Sequence, residues 1–243
     1  MTGTRWIIAI AALAAAALTA RLGLWQLDRA AEKQQLQAGI EQRNALPPLP
    51  ASELAREPGA ALGQHYRKVA LRGLWLHRYT VYLDNRQMNA RPGFFVVTPL
   101  LLAPGDAVLV QRGWMPRDGL DRARLQPLPQ TQSEVTVWAR VAPAPSKLLE
   151  LGPASTGAIR QNLDLTALAS EIGLALRPLS LQQLDPPDGL HGPGDGLQRQ
   201  WLKPALDVDK HHGYALQWFA LCALIIGLYV WFQIIRAWHV RAQ

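Results

Sequence analysis

The apolar residues of this chain gather at its two ends, and the stretch between them is mixed. From Gly213 to Ile235 the sequence reads GYALQWFALCALIIGLYVWFQII, without a charged residue. At about 1.5 Å of rise per residue, a helix of that length crosses a hydrocarbon core of about 30 Å. Trp218, Tyr229, Trp231 and Trp238 suit the aromatic preference for membrane interfaces. Asp207, Asp209 and Lys210 precede the run and Arg236 and Arg241 follow it, so the positive-inside bias puts the C-terminus in the cytoplasm.

The first apolar run, Trp6 to Ala20, is shorter and rich in alanine, and Arg21 interrupts it before Leu22, Leu24, Trp25 and Leu27 resume the pattern. A cleaved signal peptide, with Arg5 as its charged start, is one reading. An uncleaved anchor is the favoured one. No turn-forming residue breaks the helix before the small residues, and the later leucines extend the span while Arg21 snorkels to the interface. The expected organisation is a cytoplasmic stub (1–4), a first span (5–27), a periplasmic domain (28–210), a second span (211–235) and a cytoplasmic tail (236–243).

After the first span, DRAAEKQQLQAGIEQRNAL continues the helix, until the four prolines and one glycine of PPLPASELAREPG break it. Strand-like runs follow: YRKVALRGLWL, YTVYLDN, GFFVVTPLLL, AVLVQRGWM and EVTVWARV. Pro104-Gly105-Asp106 predicts a hairpin between the third and fourth. In the fifth, Val135, Val137 and Ala139 point one way and Thr136, Trp138 and Arg140 the other. NLDLTALASEIGL predicts a short helix starting at Asp164 or Thr166, and LRPLSLQQL a last strand. The Gly/Pro-dense DPPDGLHGPGDGLQRQW reads as an exposed loop. The fold class is therefore α+β. Two terminal transmembrane helices flank a domain of five or six strands, open or closed into a small barrel, with one short helix.

Charge and composition add little to this. The net charge is +7, but no Lys/Arg run or recognition motif accompanies it, so anionic lipid rather than nucleic acid is the expected neighbour. The single cysteine, Cys222, excludes an intrachain disulfide and reads as a packing residue. Without a CxxC or Cys/His cluster, neither a copper carrier nor a thiol oxidoreductase fits. GxSxG, HExxH and a Walker lysine loop are missing, and GPASTG and GPGDG are plain turns. Asp84, Asp106, Asp118 and Asp121 fall in turn-like positions rather than as an acid–base pair. The chain does not read as an enzyme.

The informative cluster opens the second span: His211-His212-Gly213-Tyr214-Ala215-Leu216-Gln217-Trp218-Phe219. On a helix, His211, Tyr214, Ala215, Trp218 and Cys222 share one face. A neutral imidazole at the outer membrane surface, beside aromatic rings, is a workable ligand for haem iron, with Trp218 as a platform for the macrocycle. A capping or headgroup role for the histidine is the alternative. His65, His77, His191 and His239 have no such setting and read as surface residues.

These motifs together resemble the surfeit locus protein 1 family, the Shy1-like assembly factors of haem–copper cytochrome c oxidase. Gly23, Trp25, Gln26, Arg29 and Lys33 match its Gly-x-Trp-Gln-x-x-Arg-x-x-x-Lys signature. Asn85, Arg86, Pro92, Gly93, Thr98, Pro99 and Leu100 match a second element. Arg112, Gly113, Trp114 and Pro116 match its Arg-Gly-Trp-x-Pro. His211, Tyr214, Ala215, Trp218 and Phe219 match the closing His-x-x-Tyr-Ala-x-x-Trp-Phe. Lys210 and Gln111 stand where the family often has Asn.

The resemblance implies a non-enzymatic role in maturing the oxidase of the inner membrane. Haem a would be bound through His211, with Tyr214, Trp218 and His212 around it, and passed to subunit I in concert with other factors such as haem a synthase. His212 offers a second imidazole that could substitute as ligand. A scaffold that grips the immature subunit and never holds haem is the alternative function. Trp114 and Trp138 are expected to pack structurally, Gly93 and Gly113 to allow turns or close approach, and Thr98-Pro99 to end a strand. Arg86 and Arg112 are expected to anchor the domain rather than hold propionates.

Overall fold

A computed structural model describes residues 3–119, 121, 124–149, 157–187, 194–201 and 207–236. Trp238, Arg241, His191, His239 and most of GPASTG lie outside the described residues. The chain forms two compact units, one helical (1–41 with 203–243) and one strand-rich (42–202).

In the helical unit, α1 (Gly3–Ala45) runs unbroken until Pro47 and Pro48 arrive. Its counterpart α4 (Val208–Tyr229) continues as π-turns over Val230–Ile235. Both are long and apolar enough to cross a membrane. Only 17% of the apolar window of α1 and 6% of that of α4 is buried, so most of their apolar surface has no protein over it. What is covered follows a heptad. The less exposed positions include Ala9, Ala12, Ala16, Thr19, Gly23 and Gln26 on α1, and His211, Ala215, Trp218, Cys222, Ile225 and Tyr229 on α4. Spacings of three and four place each set along one seam. Small residues on one side let the backbones approach, the usual device where lipid removes the hydrophobic drive for helices to associate. Cys222 sits in the seam with its thiol 3.4 Å from the Ala16 carbonyl, and Thr19 satisfies its hydroxyl on the Ala15 and Ala16 carbonyls.

The strand-rich unit contains β1 (Lys68–Trp75), β2 (Val81–Met88), β3 (Arg91–Ala103), β4 (Asp106–Pro116), β5 (Val135–Ala142), β6 (Ile159–Arg160) and β7 (Ala175–Gln183). Two short helices accompany them, α2 (Pro58–Gly63) and α3 (Leu165–Ile172). Strand order β1-β5-β7-β4-β3 closes on itself because β3 also pairs with β1, giving a five-stranded barrel; β2 and β6 extend the sheet beyond β3. The β3–β4 hairpin turns at Pro104-Gly105, where Gly105 takes a positive φ of 76°. The alternation expected in β5 is present: Val137 and Ala139 are buried, and Trp138 and Arg140 half-buried.

Inside the barrel lie Val69, Leu71, Leu100, Val108, Val110, Val137, Val141 and Leu181. On the outer face, α3 covers a second core of Val81, Leu83, Val97, Leu109, Leu168 and Ile172. β4 therefore buries both faces, with Val108 and Val110 inward and Leu109 outward, which is why it reads as an almost unbroken apolar run. Asp164 caps α3 by accepting from the Thr166 and Ala167 amides at 3.0 and 3.1 Å.

Three expectations are corrected here. Thr98-Pro99 does not end a strand; β3 runs through it. Up to Val97 this edge of β3 pairs with β2, and from Leu100 it pairs with β1. The Pro99 carbonyl accepts from Leu76 at 3.0 Å on that same edge, so the missing N–H faces the gap between the two partner strands. Among the described residues the sheet has seven strands, more than the expected five or six, because the two-residue β6 carries no periodic signal. Finally, the segment 194–201 is not simply an exposed loop. Gln198 and Trp114 exchange both backbone hydrogen bonds at 2.8 Å, and Asp195 and Leu197 are buried. Gly113 makes this docking possible, since a Cβ there would stand 2.7 Å from that of Leu197.

Candidate functional site

The site begins with the phase of the two helices. His211 opens the seam of α4 one turn after the helix starts, and Gln26 occupies the matching seam position of α1. The His211 Nδ1 and the Gln26 Oε1 lie 2.6 Å apart. The same amide turned over would donate to a bare Nδ1; with its oxygen toward the ring, as here, Nδ1 carries the proton and donates it. Nε2 then keeps its lone pair, and no hydrogen bond occupies it among the described residues. One ring nitrogen is thus anchored and the other open, a geometry that metal-binding histidines share with many that bind no metal.

The same end of the pair is drawn tight by Gly23. A Cβ at this position would come within 2.7 Å of the Phe219 ring, so only glycine admits the ring. Two motifs almost two hundred residues apart in sequence thus interlock, Gly23 with Phe219 and Gln26 with His211. Ala215 and Trp218 continue the seam inward from His211. Tyr214 is 50% exposed and points off the seam, and His212 is fully on the open side. The two imidazoles are therefore not equivalent, since only His211 has a side-chain partner among the described residues. Around this end, Leu24, Trp25, Leu27 and Leu216 are exposed apolar residues. Trp25 carries the Arg29 guanidinium 5.9 Å above its ring, and Arg29 in turn pairs with Glu32 at 2.7 Å.

Gln26 is named in the family signature, but its pairing with His211 is what sequence reasoning missed. Its signal was available: a polar side chain three residues after Gly23, in phase with Ala9, Ala12, Ala16 and Thr19, must face the seam.

The arginines of the barrel do other work. Arg86 is buried and donates to the Ser146 hydroxyl and the Gln161 carbonyl, while its own carbonyl accepts from the Trp114 indole at 2.9 Å. Arg112 is buried against Asp195 at 3.3 Å and stacks 4.7 Å above Trp75. Burial pulls both guanidinium groups down from their ordinary pKa. Both hold the domain together, and Trp114 is core, 1% exposed. His65 and His77 are half-buried rather than fully on the surface; burial, then Arg43, lowers the pKa of His65.

A model of the SURF1 family matches residues 13–223. A SURF1-like protein of Drosophila melanogaster is 29% identical over 225 residues, covering 85% of this chain and 71% of that protein. The cytochrome oxidase assembly protein SHY1 of Saccharomyces cerevisiae is 34% identical over 95 residues, 39% of this chain and 24% of the yeast protein. A SURF1-like protein of the bacterium Rickettsia prowazekii is 26% identical over 218 residues, covering 86% of this chain and 82% of its own. The family match takes in the seam positions from Ala16 to Cys222 and every strand of the barrel: this chain belongs to the SURF1 family.

Proposed function

We propose that this protein assists assembly of cytochrome c oxidase by holding haem a as cargo at the outer end of its helix pair and delivering it to oxidase subunit I. The observation that carries this reading is the free Nε2 of His211, oriented by Gln26 through Nδ1. Among the described residues, no group of three or more His, Cys, Asp or Glu gathers as a cage for a bare ion. A metal held at His211 therefore has to bring most of its own ligands, as a macrocycle does. Haem iron, when bound, supplies an open axial position that an imidazole nitrogen fills. Trp218 offers an apolar ring on the same seam two turns further along α4, and the exposed Tyr214 and His212 lie on the first turns with His211. The name of the yeast relative, an oxidase assembly protein, supports the oxidase as partner.

In this reading the chain spans the inner membrane twice, with both termini cytoplasmic and the barrel periplasmic. Arg21 is exposed on α1 near the outer end, where snorkelling relieves it. The packing of α1 against α4 along a shared seam supports a retained anchor over a removable leader. The role is binding and handover, without catalysis.

The reading is tested in cells lacking the gene. Wild-type protein and His212→Ala should restore the haem a content of isolated subunit I, whereas His211→Ala should not, at equal protein levels. Full restoration by His211→Ala would favour a scaffold that never holds haem. Reporter fusions to the barrel that prove active only in the cytoplasm would remove the orientation.

A further inference from the structure

We infer that Gln26 is a positioning residue that locks His211 into the Nδ1–H tautomer and so decides which nitrogen is presented. The inference rests on the ligand reading of His211 given above. In water a neutral histidine side chain exchanges freely between its two tautomers, and the choice inside a protein is set by the bond the other nitrogen makes. Here that bond is short, 2.6 Å, and partly buried. It lies in the seam between α1 and α4, partly shielded from water, where a hydrogen bond is stronger than in bulk solvent.

Gln26 cannot easily turn away. It stands three residues after Gly23, whose missing Cβ is filled by the Phe219 ring, so the α1 backbone is held close to α4 one turn from the bond. His211 is fixed from its own side as well, since its backbone N–H donates to the Asp207 carbonyl in the first turn of α4. With the amide oxygen toward the ring, the alternative tautomer would put a lone pair on Nδ1 against those of Oε1 and a proton on Nε2, where a metal has to bind, so it requires the amide to turn over. His212 has no such partner, which separates the neighbouring imidazoles by geometry. Of the charged groups nearest in sequence, Asp207 and Lys210 pair with each other at 3.1 Å and Asp209 is exposed.

The test reads the haem-free protein first, so that it does not depend on cargo. Full-length protein with 15N-labelled histidine, in detergent micelles at alkaline pH, is examined by long-range proton–nitrogen correlation. The His211 signals are assigned by their loss in His211→Ala. Wild type should show the Nδ1–H form, and Gln26→Leu should revert mainly to Nε2–H. Gln26→Glu, which keeps an acceptor, should retain Nδ1–H. Haem a titration should then show Gln26→Leu weakened by roughly 10- to 100-fold, as for other partners that orient metal ligands. Gln26→Glu should bind, with the iron potential shifted negative because a carboxylate makes the imidazole more basic.

A wild-type His211 in the Nε2–H form, or a tautomer indifferent to Gln26→Leu, overturns the inference. Haem bound through His211 with equal affinity in Gln26→Leu overturns it too, while leaving the ligand reading intact. An Nδ1–H signal that depends on Gln26 in a protein that binds no haem upholds the lock and removes the ligand reading instead.

Discussion

Replacing Asp195 by alanine should destabilise the barrel far more than its place in a glycine-rich segment suggests. Its carboxylate is 2% exposed and serves two guanidinium groups that are each 5% exposed. Arg199 reaches both oxygens, at 2.8 and 2.6 Å, and Arg112 one of them at 3.3 Å. Among the described residues the other ion pair of these guanidinium groups, Arg199 with Asp185, is 3.4 Å long and ends on a carboxylate that is 65% exposed. Removing the shared anion leaves two buried cations facing each other, and stripping one partner from a buried pair costs about 3–5 kcal/mol. Domains hold together by only about 5–15 kcal/mol, so the variant approaches the threshold of folding. The loss also frees the segment that Gln198 pins to Trp114. Urea titration of the full chain in micelles, followed by near-ultraviolet circular dichroism, reads the effect. Asp195→Ala combined with Arg112→Met and Arg199→Met should recover most of it, because no unpaired charge then remains buried. A single variant within about 1 kcal/mol of wild type would refute the argument, since the predicted loss is about 3–5 kcal/mol.

Other outcomes follow from the same packing. Gly23→Ala should loosen the helix pair by about 1–3 kcal/mol as the Phe219 ring is displaced, and Phe219→Ala in that background should relieve it; both are read by detergent-denaturant titration. Asp164→Ala should cost about 1 kcal/mol through the lost cap on α3, measured by the same urea assay as above. The Asp106 carboxyl is held below its ordinary range first by its hydrogen bond from Arg177 and then by the Arg177 and Arg56 charges. Its folded-state pKa being depressed, it contributes stability above the ordinary aspartate value of about 3.9 that is lost as the pH falls through the folded value. Asp106→Asn should therefore flatten the acid limb of a stability–pH profile.

Much of this molecule was legible as pattern. The two apolar runs, the hairpin at Pro104-Gly105, the alternation of β5 and the Asp164 cap are local signals, each set by residues within a few positions of one another. What escaped the sequence depends on partners far along the chain. Asp195 sits among glycines, and nothing nearby announces that Arg112, on β4, needs its charge. Pro99 looks like a strand end because its missing N–H is a local fact, whereas the change of partner strand that excuses it is a tertiary one. Barrel closure rests on two residue pairs between β1 and β3, too few to leave a trace. The site divides in the same way: His211 stood out by type and place, while Gln26 acquires its meaning only when α1 and α4 lie side by side.

The account turns on one atom, the unshared Nε2 of His211. The measurement that reaches it most directly is the optical spectrum of the protein purified from cells that make haem a, compared with His211→Ala, His212→Ala and the double variant. Wild type and His212→Ala should carry an axially ligated haem, with the single His211 change abolishing it. A haem spectrum that survives in the double variant would contradict the account.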